Sequence, residues 1–144
     1  MATIVDTVDL VFKDWITYIS TTSPYVFGNE DAKDPSTGKK LDDGNRPWYR
    51  VSVRESGGGR ANLNGQVGTR KYERLGFLAI QCFAPVNAGD KLGLQMAEAA
   101  RTYFEDRRLN NLIIYLNADI RPQPPDGKWN PVLLEVVIEF TDTK

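Results

Sequence analysis

Two alternating segments joined by a glycine-rich stretch constrain this chain more than any other feature. In Trp48-Tyr49-Arg50-Val51-Ser52-Val53-Arg54, Tyr49, Val51 and Val53 fall on one side, and Arg50, Ser52 and Arg54 on the other. Period two with valine and aromatics predicts a half-buried strand. From Arg70 to Ala84 the alternation returns, with Gly76, Leu78, Ile80 and Cys82 on one face and Leu75, Phe77, Ala79, Gln81 and Phe83 on the other. Both faces of its second half are apolar, which predicts a strand covered on both sides or one whose outer face a partner buries. Between the two lies Glu55 to Thr69, with Gly57-Gly58-Gly59-Arg60 at its start and Gly65 and Gly68 near its end. This is far longer than a tight hairpin needs, and long loops in compact domains are usually functional or disordered.

The elements on either side fit an α+β arrangement. Thr3 to Ser20 places Ile4, Val8, Val11, Phe12, Trp15 and Ile19 at helical spacing, with Asp6, Asp9, Lys13 and Asp14 between them. Tyr25-Val26-Phe27 is a short apolar segment able to pair or dock. Residues 28–47 are polar and turn-rich, which predicts a long surface loop. A second helix, capped by Asn87 or Asp90 and running to about Arg108, has its stripe at Leu92, Met96, Ala99, Ala100, Tyr103 and Phe104. Leu112 to Arg121 reads as a strand, the prolines of Pro122 to Lys128 as a turn, and Trp129 to Thr141 as the last strand. In that strand Val132, Leu134, Val136, Ile138 and Phe140 share one face. The expected fold is a single α+β domain over 1–144, in the order α-β-β-α-β-β. It has a mostly antiparallel sheet of about four main strands and two helices on one face.

Composition narrows the chemistry. The chain has 18 basic and 19 acidic residues and no histidine, so serine–histidine and cysteine–histidine catalysis and the usual zinc sites are removed, and no global charge draws it to nucleic acid. The single cysteine, Cys82, excludes an intrachain disulfide and reads as a buried structural thiol and a chain made in a reducing compartment. No run approaches a membrane helix, and Met1 to Asp6 lacks the basic start and apolar block of a signal peptide. Ser36-Thr37-Gly38-Lys39-Lys40 is a poor phosphate loop, because Lys33 stands where the earlier glycine belongs. Glu30, Asp31, Asp34, Asp42 and Asp43 lack calcium-loop spacing. Glu135 and Glu139 project the same way, as an acid/base pair would, but on an edge strand such residues more often block aggregation or meet a basic partner. No catalytic, cofactor or metal residue is assigned. Candidate contact residues lie at the hairpin: Arg54, Arg60, Asn62, Asn64, Arg70 and Lys71. The loop reads as a subunit-contact or pore-lining segment. An inert solvated loop and a phosphate contact are the alternatives.

Arg46-Pro47-Trp48-Tyr49-Arg50-Val51-Ser52-Val53, the glycine-rich loop, and Tyr72 to Pro85 occur in that order. A helix then starts near Gly89, with Asp90-Lys91 and Ala97, Ala99 and Ala100. This succession resembles the tail-terminator-like proteins of long-tailed bacteriophages, over most of the chain and least over 28–45. The resemblance implies a structural virion protein, not an enzyme, without cofactor or membrane. It implies a homo-hexameric ring that caps the tail tube, stops its polymerisation and offers a surface for head–tail joining. The implied partners are further copies of the chain, the tail-tube protein and a head-completion or neck protein, with DNA passing through the ring without specific binding. The implied location is the head-proximal end of the virion tail, after synthesis in the host cytoplasm. A head-completion or neck adaptor of the same virion is the alternative; a carboxylate-based enzyme and a nucleic-acid-binding module stand further off.

Overall fold

The computed structural model describes residues 4–19, 24–28, 46–60, 71–86, 90–109 and 113–143. Its elements are α1 (Ile4–Ile19), β1 (Tyr25–Phe27), β2 (Trp48–Arg60), β3 (Lys71–Pro85), α2 (Asp90–Phe104), β4 (Arg108–Leu109), β5 (Ile113–Pro122) and β6 (Trp129–Thr143). The α+β class and the two helices match the sequence reading. The sheet has six strands rather than about four, in the order β1-β2-β3-β6-β5-β4. It is mixed: β1 runs parallel to β2, and every other pair is antiparallel. The two added strands, β1 and β4, are short edge pieces whose pairing is decided by tertiary contacts, which a sequence pattern does not carry.

The long central pair, β3 and β6, sets the frame. Their register runs without a shift from Lys71↔Thr143 to Pro85↔Trp129. Alternation then puts Leu78, Ile80, Cys82 and Ala84 of β3 on the same face as Val132, Leu134, Val136, Ile138 and Phe140 of β6, and all are buried. Both helices pack on this inner face and close one core. Because β6 lies between β3 and β5, Glu135 and Glu139 stand on a central strand; the edge-strand expectation for them is incorrect.

Helix α1 enters the core through Trp15, which is fully buried. Its indole stacks on Phe104 of α2 at 6.2 Å and meets Tyr49 of β2 edge-on at 5.1 Å. Phe12 stacks on Phe27 at 4.0 Å and so fastens α1 to the edge strand β1. The α2 stripe keeps the expected Met96, Ala100 and Phe104, with Leu92 and Tyr103 partly buried against the core, and departs from the expected one at Ala99. Ala99 is exposed, while Gly93, Met96, Ala97, Ala100 and Phe104 are buried. A Cβ on Gly93 would lie 2.8 Å from Val132 Cγ2, so the missing side chain lets α2 sit down on β6. The helix stops at Phe104, short of the expected Arg108, because Asp106 takes a φ of 63°, the left-handed geometry that ends helices.

The glycine-rich stretch is also corrected. Glu55 to Arg60 is not loop but the end of β2, paired with β3 as far as Arg60↔Tyr72, with a register shift between Glu55 and Gly57. Glycine lowers strand propensity but is accommodated at bulges, and here the backbone ladder to β3 carries the strand onward. Gly76 faces the irregularity. A Cβ there would lie 2.6 Å from the Arg54 carbonyl oxygen, a backbone atom that has nowhere to move without shifting the strand. Gly76→Ala is therefore expected to lower stability by about 1–3 kcal/mol, the usual range for overpacking, seen as a lower urea midpoint at unchanged slope. An unchanged midpoint would show that the strand pair gives way freely.

Candidate functional site

With both helices on the inner face, the outer face of the sheet is the surface that β2, β3, β5 and β6 leave to interactions. Alternation assigns it Arg50, Ser52 and Arg54 of β2, Phe77, Ala79, Gln81 and Phe83 of β3, and Leu133, Glu135, Val137 and Glu139 of β6. Most of these side chains are half-buried, and Leu75 is 42% exposed. The two-sided apolar character of β3 is thus explained on its inner face by the helices. No described element covers it on the outer face.

Of the expected contact residues within the described strands, Arg60 and Lys71 lie at one end of this sheet and Arg54 at the middle of β2. Arg54 is exposed on the outer face with its guanidinium 5.7 Å from the Phe77 ring centroid. Arg74, on the opposite face, pairs with Glu55 at 3.1 Å across the two strands. Arg60 ends β2 opposite Tyr72, and Lys71 begins β3 opposite Thr143, so their backbones stand at the same tip. Asn62, Asn64 and Arg70 lie outside the described residues, as do the polar stretch 29–45 and its acidic side chains.

The other end of the outer face carries a feature that no sequence signal singled out. Trp48 of β2 pairs with Phe83 of β3, and Pro85 of β3 pairs with Trp129 of β6. Register therefore gathers three aromatics from three strands. Trp48 stacks on Phe83 at 4.1 Å and meets Trp129 edge-on at 6.2 Å, and together with Val26 they form a second buried cluster apart from the main core. Beside it opens a cleft of about 690 Å³, with Arg50, Gln81 and Pro131 in its wall and Pro124 and Lys128 at its rim. The Arg50 guanidinium stands 5.7 Å from the Trp48 centroid and donates to the Gly28 carbonyl at 2.6 Å. Lys128 Nζ is 5.6 Å from the Trp129 centroid. The rim is a tight turn: Asp126 and Trp129 exchange both backbone hydrogen bonds, at 2.9 and 3.0 Å, around Gly127, whose φ is 59°. The indole N–H groups of Trp48 and Trp129 are buried and meet no acceptor among the described residues. A buried donor left unpaired costs about 1–3 kcal/mol.

A third constellation is structural. Asp14 of α1 is buried, yet its carboxylate accepts from Tyr103 Oη at 3.1 Å and from Arg107 Nε and Nη2 at 3.2 and 3.0 Å. Arg107 also lies over the Tyr103 ring, at 4.5 Å. The hydrogen bond to Asp14 holds the Arg107 guanidinium more firmly charged than usual, and burial together with the Asp14 charge pushes the Tyr103 hydroxyl up. Asp14 read as one more surface charge in the sequence.

Cys82 is fully buried on the inner face, and burial pushes its thiol up to about 12. Burial also raises Tyr49 and Tyr115 above the ordinary tyrosine value. All three hold their protons more tightly folded than unfolded. Their contribution is complete below the unfolded thiol value of about 8.5 and declines as pH rises toward the folded values. Urea unfolding followed by tryptophan fluorescence should therefore give a midpoint that falls steadily from about pH 9 to pH 12. A midpoint that stays level across that window would contradict the burial of these groups.

Among the described residues no group of three or more histidine, cysteine, aspartate or glutamate side chains is placed to hold a metal ion, and no helix is long and apolar enough to cross a membrane. No protein-family profile and no curated protein matches the sequence. The fold does have counterparts among solved structures. One, a protein that carries only a sequence identifier for a name, superposes with a TM-score of 0.58 over 92% of this chain and 94% of its own, at 14% identity. At that identity the likeness concerns the fold alone.

Proposed function

We propose that this chain is a structural ring subunit of the kind its sequence resembles, a tail-terminator-like protein. On this reading copies of the chain form a hexameric ring on the end of a phage tail tube, stop tube growth and present a surface to the head-completion protein, with DNA passing through the opening. The observation that carries the reading is the one-sided sheet. Both helices lie on its inner face, and the outer face keeps Phe77, Ala79, Leu133 and Val137 half-buried with no described element over them. A closed ring built from head-to-tail contacts needs two different complementary patches on each subunit. The outer face offers one. The tip offers the second, where β2, β3 and β6 run on past the Ile113↔Phe140 start of β5. Interleaved charge on the strands leading to that tip, with Arg54 and Arg74 beside Glu55, suits register between neighbours more than raw affinity. The reading is tested by adding the purified chain to polymerising tail-tube protein and following elongation by light scattering. Growth should stop at a dose far below one chain per tube subunit, because only tube ends are bound. Elongation at the untreated rate would remove the proposal and shift attention to binding of the head connector.

A further inference from the structure

The charges on the outer face of the sheet are sorted by strand. From 48 to 54, β2 carries Arg50, Ser52 and Arg54 there, and no acid. On β6 the same face carries Leu133, Glu135, Val137 and Glu139, and no base. Between them β3 contributes Leu75, Phe77 and Ala79, with Leu75 42% exposed. Register sets these side chains in rows. Ser52, Ala79 and Glu135 share one, Arg54, Phe77 and Val137 the next, and Leu75 and Glu139 the one beyond. Within the chain the charges are only partly matched. Glu135 and its cross-strand neighbour Asp119 share Arg121, at 3.9 Å from each. Arg50 is engaged at the Gly28 carbonyl. Glu139 has no ion pair among the described residues, and the Arg54 guanidinium lies over the Phe77 ring rather than against a described carboxylate. Two strand spacings and one row, roughly 12 Å, separate the backbones of Arg54 and Glu139.

We propose that this face docks a second copy of the chain, face to face, across a two-fold axis that runs along β3. A two-fold contact has to be self-complementary, and the charge columns meet that demand in one orientation. With the axis along β3, the basic column of one copy lies over the acidic column of the other. Leu75, Phe77 and Ala79 then meet their own counterparts on the axis, and Arg54 projects between the partner's Glu135 and the partner's Glu139. With the axis turned across the strands, β2 would lie over β2 and β6 over β6, and like charges directly apposed are costly. Stacked sheets keep their strands within about 30° and lie about 10 Å apart, a gap that side chains of this length fill. The overlap spans three strands and about four rows, on the order of 500 Å² a copy, which places the pair at the small, reversible end of specific contacts. The pair covers the surface that the ring reading gives to a neighbouring subunit, so a paired chain is withheld from the ring. Pairing is a property of the free chain and does not rest on that reading.

The test is sedimentation velocity of the full-length chain without tube protein. The mass should rise from one chain to two between about 1 and about 300 μM, and fall back towards one chain in about 0.5 M salt, which screens the facing charges. Arg54→Glu sets an acid between the partner's two and should raise the dissociation constant about tenfold or more; Glu139→Arg should do the same. A chain carrying both changes again has opposite charges facing across the pair, and should associate more tightly than either single variant. Arg54 is exposed and Glu139 unpaired among the described residues, so neither change puts folding at stake, and far-UV circular dichroism checks this. A mass of one chain at every concentration would overturn the proposal. So would a mass of six, a pair that Arg54→Glu leaves unchanged, or a double variant no better than the weaker single one. Tube capping is scored separately: pairing without capping removes the ring reading alone, and capping by a chain that never pairs removes this one.

Discussion

Trp15→Ala should lose about 3–5 kcal/mol of stability, the cost of removing a fully buried large aromatic and leaving its cavity. Trp15 is the residue through which α1, α2 and β2 share one core, in ring contact with Tyr18, Tyr25, Tyr49 and Phe104. With rings on so many sides, no single neighbour can collapse into the space, so the cost belongs at the upper end of that range. Trp15→Phe keeps part of the contact and removes an indole N–H that meets no acceptor, so it should cost markedly less. Thermal melts of the two variants measure the order. If Trp15→Ala melted with the parent chain, α1 would not be held against the sheet as described.

The second large effect is expected one residue away and has a different origin. Asp14→Ala should lose about 2–4 kcal/mol, because it strands the Tyr103 hydroxyl and the Arg107 guanidinium, both of which are bonded to that carboxylate. The Arg107 side chain is 37% exposed, so water recovers part of its loss, and the figure stays below that of a fully enclosed pair. Arg107→Ala should also be costly, since it leaves the buried Asp14 carboxylate without the cation bonded to it. The double variant should lose less than the sum of the two, which a double-mutant cycle in urea reads directly. Strict additivity would mean that the two side chains do not act as a pair.

These two neighbours also show what the sequence could and could not convey. Val11, Trp15 and Ile19 announce their burial by helical spacing. Asp14 does not, because its partner Arg107 is 93 residues away and nothing local marks an acid as paired. The α2 stripe extends beyond the residues its hydrophobic pattern marks for a related reason. Gly93 and Ala97 are buried because they are small, and smallness leaves little trace in a hydrophobic pattern. Gly57 to Gly59 reads as loop by propensity, yet pairing with Leu75, Arg74 and Glu73 keeps it in β2. The inner face of β6 was legible residue by residue, since alternation with β-branched side chains is the strongest strand signal there is. The aromatic cleft was not. Trp48, Phe83 and Trp129 are each unremarkable in their own strands, and only the register of three strands brings them together. Of the contact residues read from the hairpin, Arg54 is an exposed outer-face cation as expected, and Arg60 and Lys71 belong to strand ends rather than to a loop.

The proposed role rests on what happens at the end of a tube, and negative-stain electron microscopy sees that end directly. Tail-tube polymers incubated with the purified chain should carry one ring-shaped cap at a single end and remain at constant length when further tube protein is added. Bare ends on tubes that continue to lengthen would contradict the proposal.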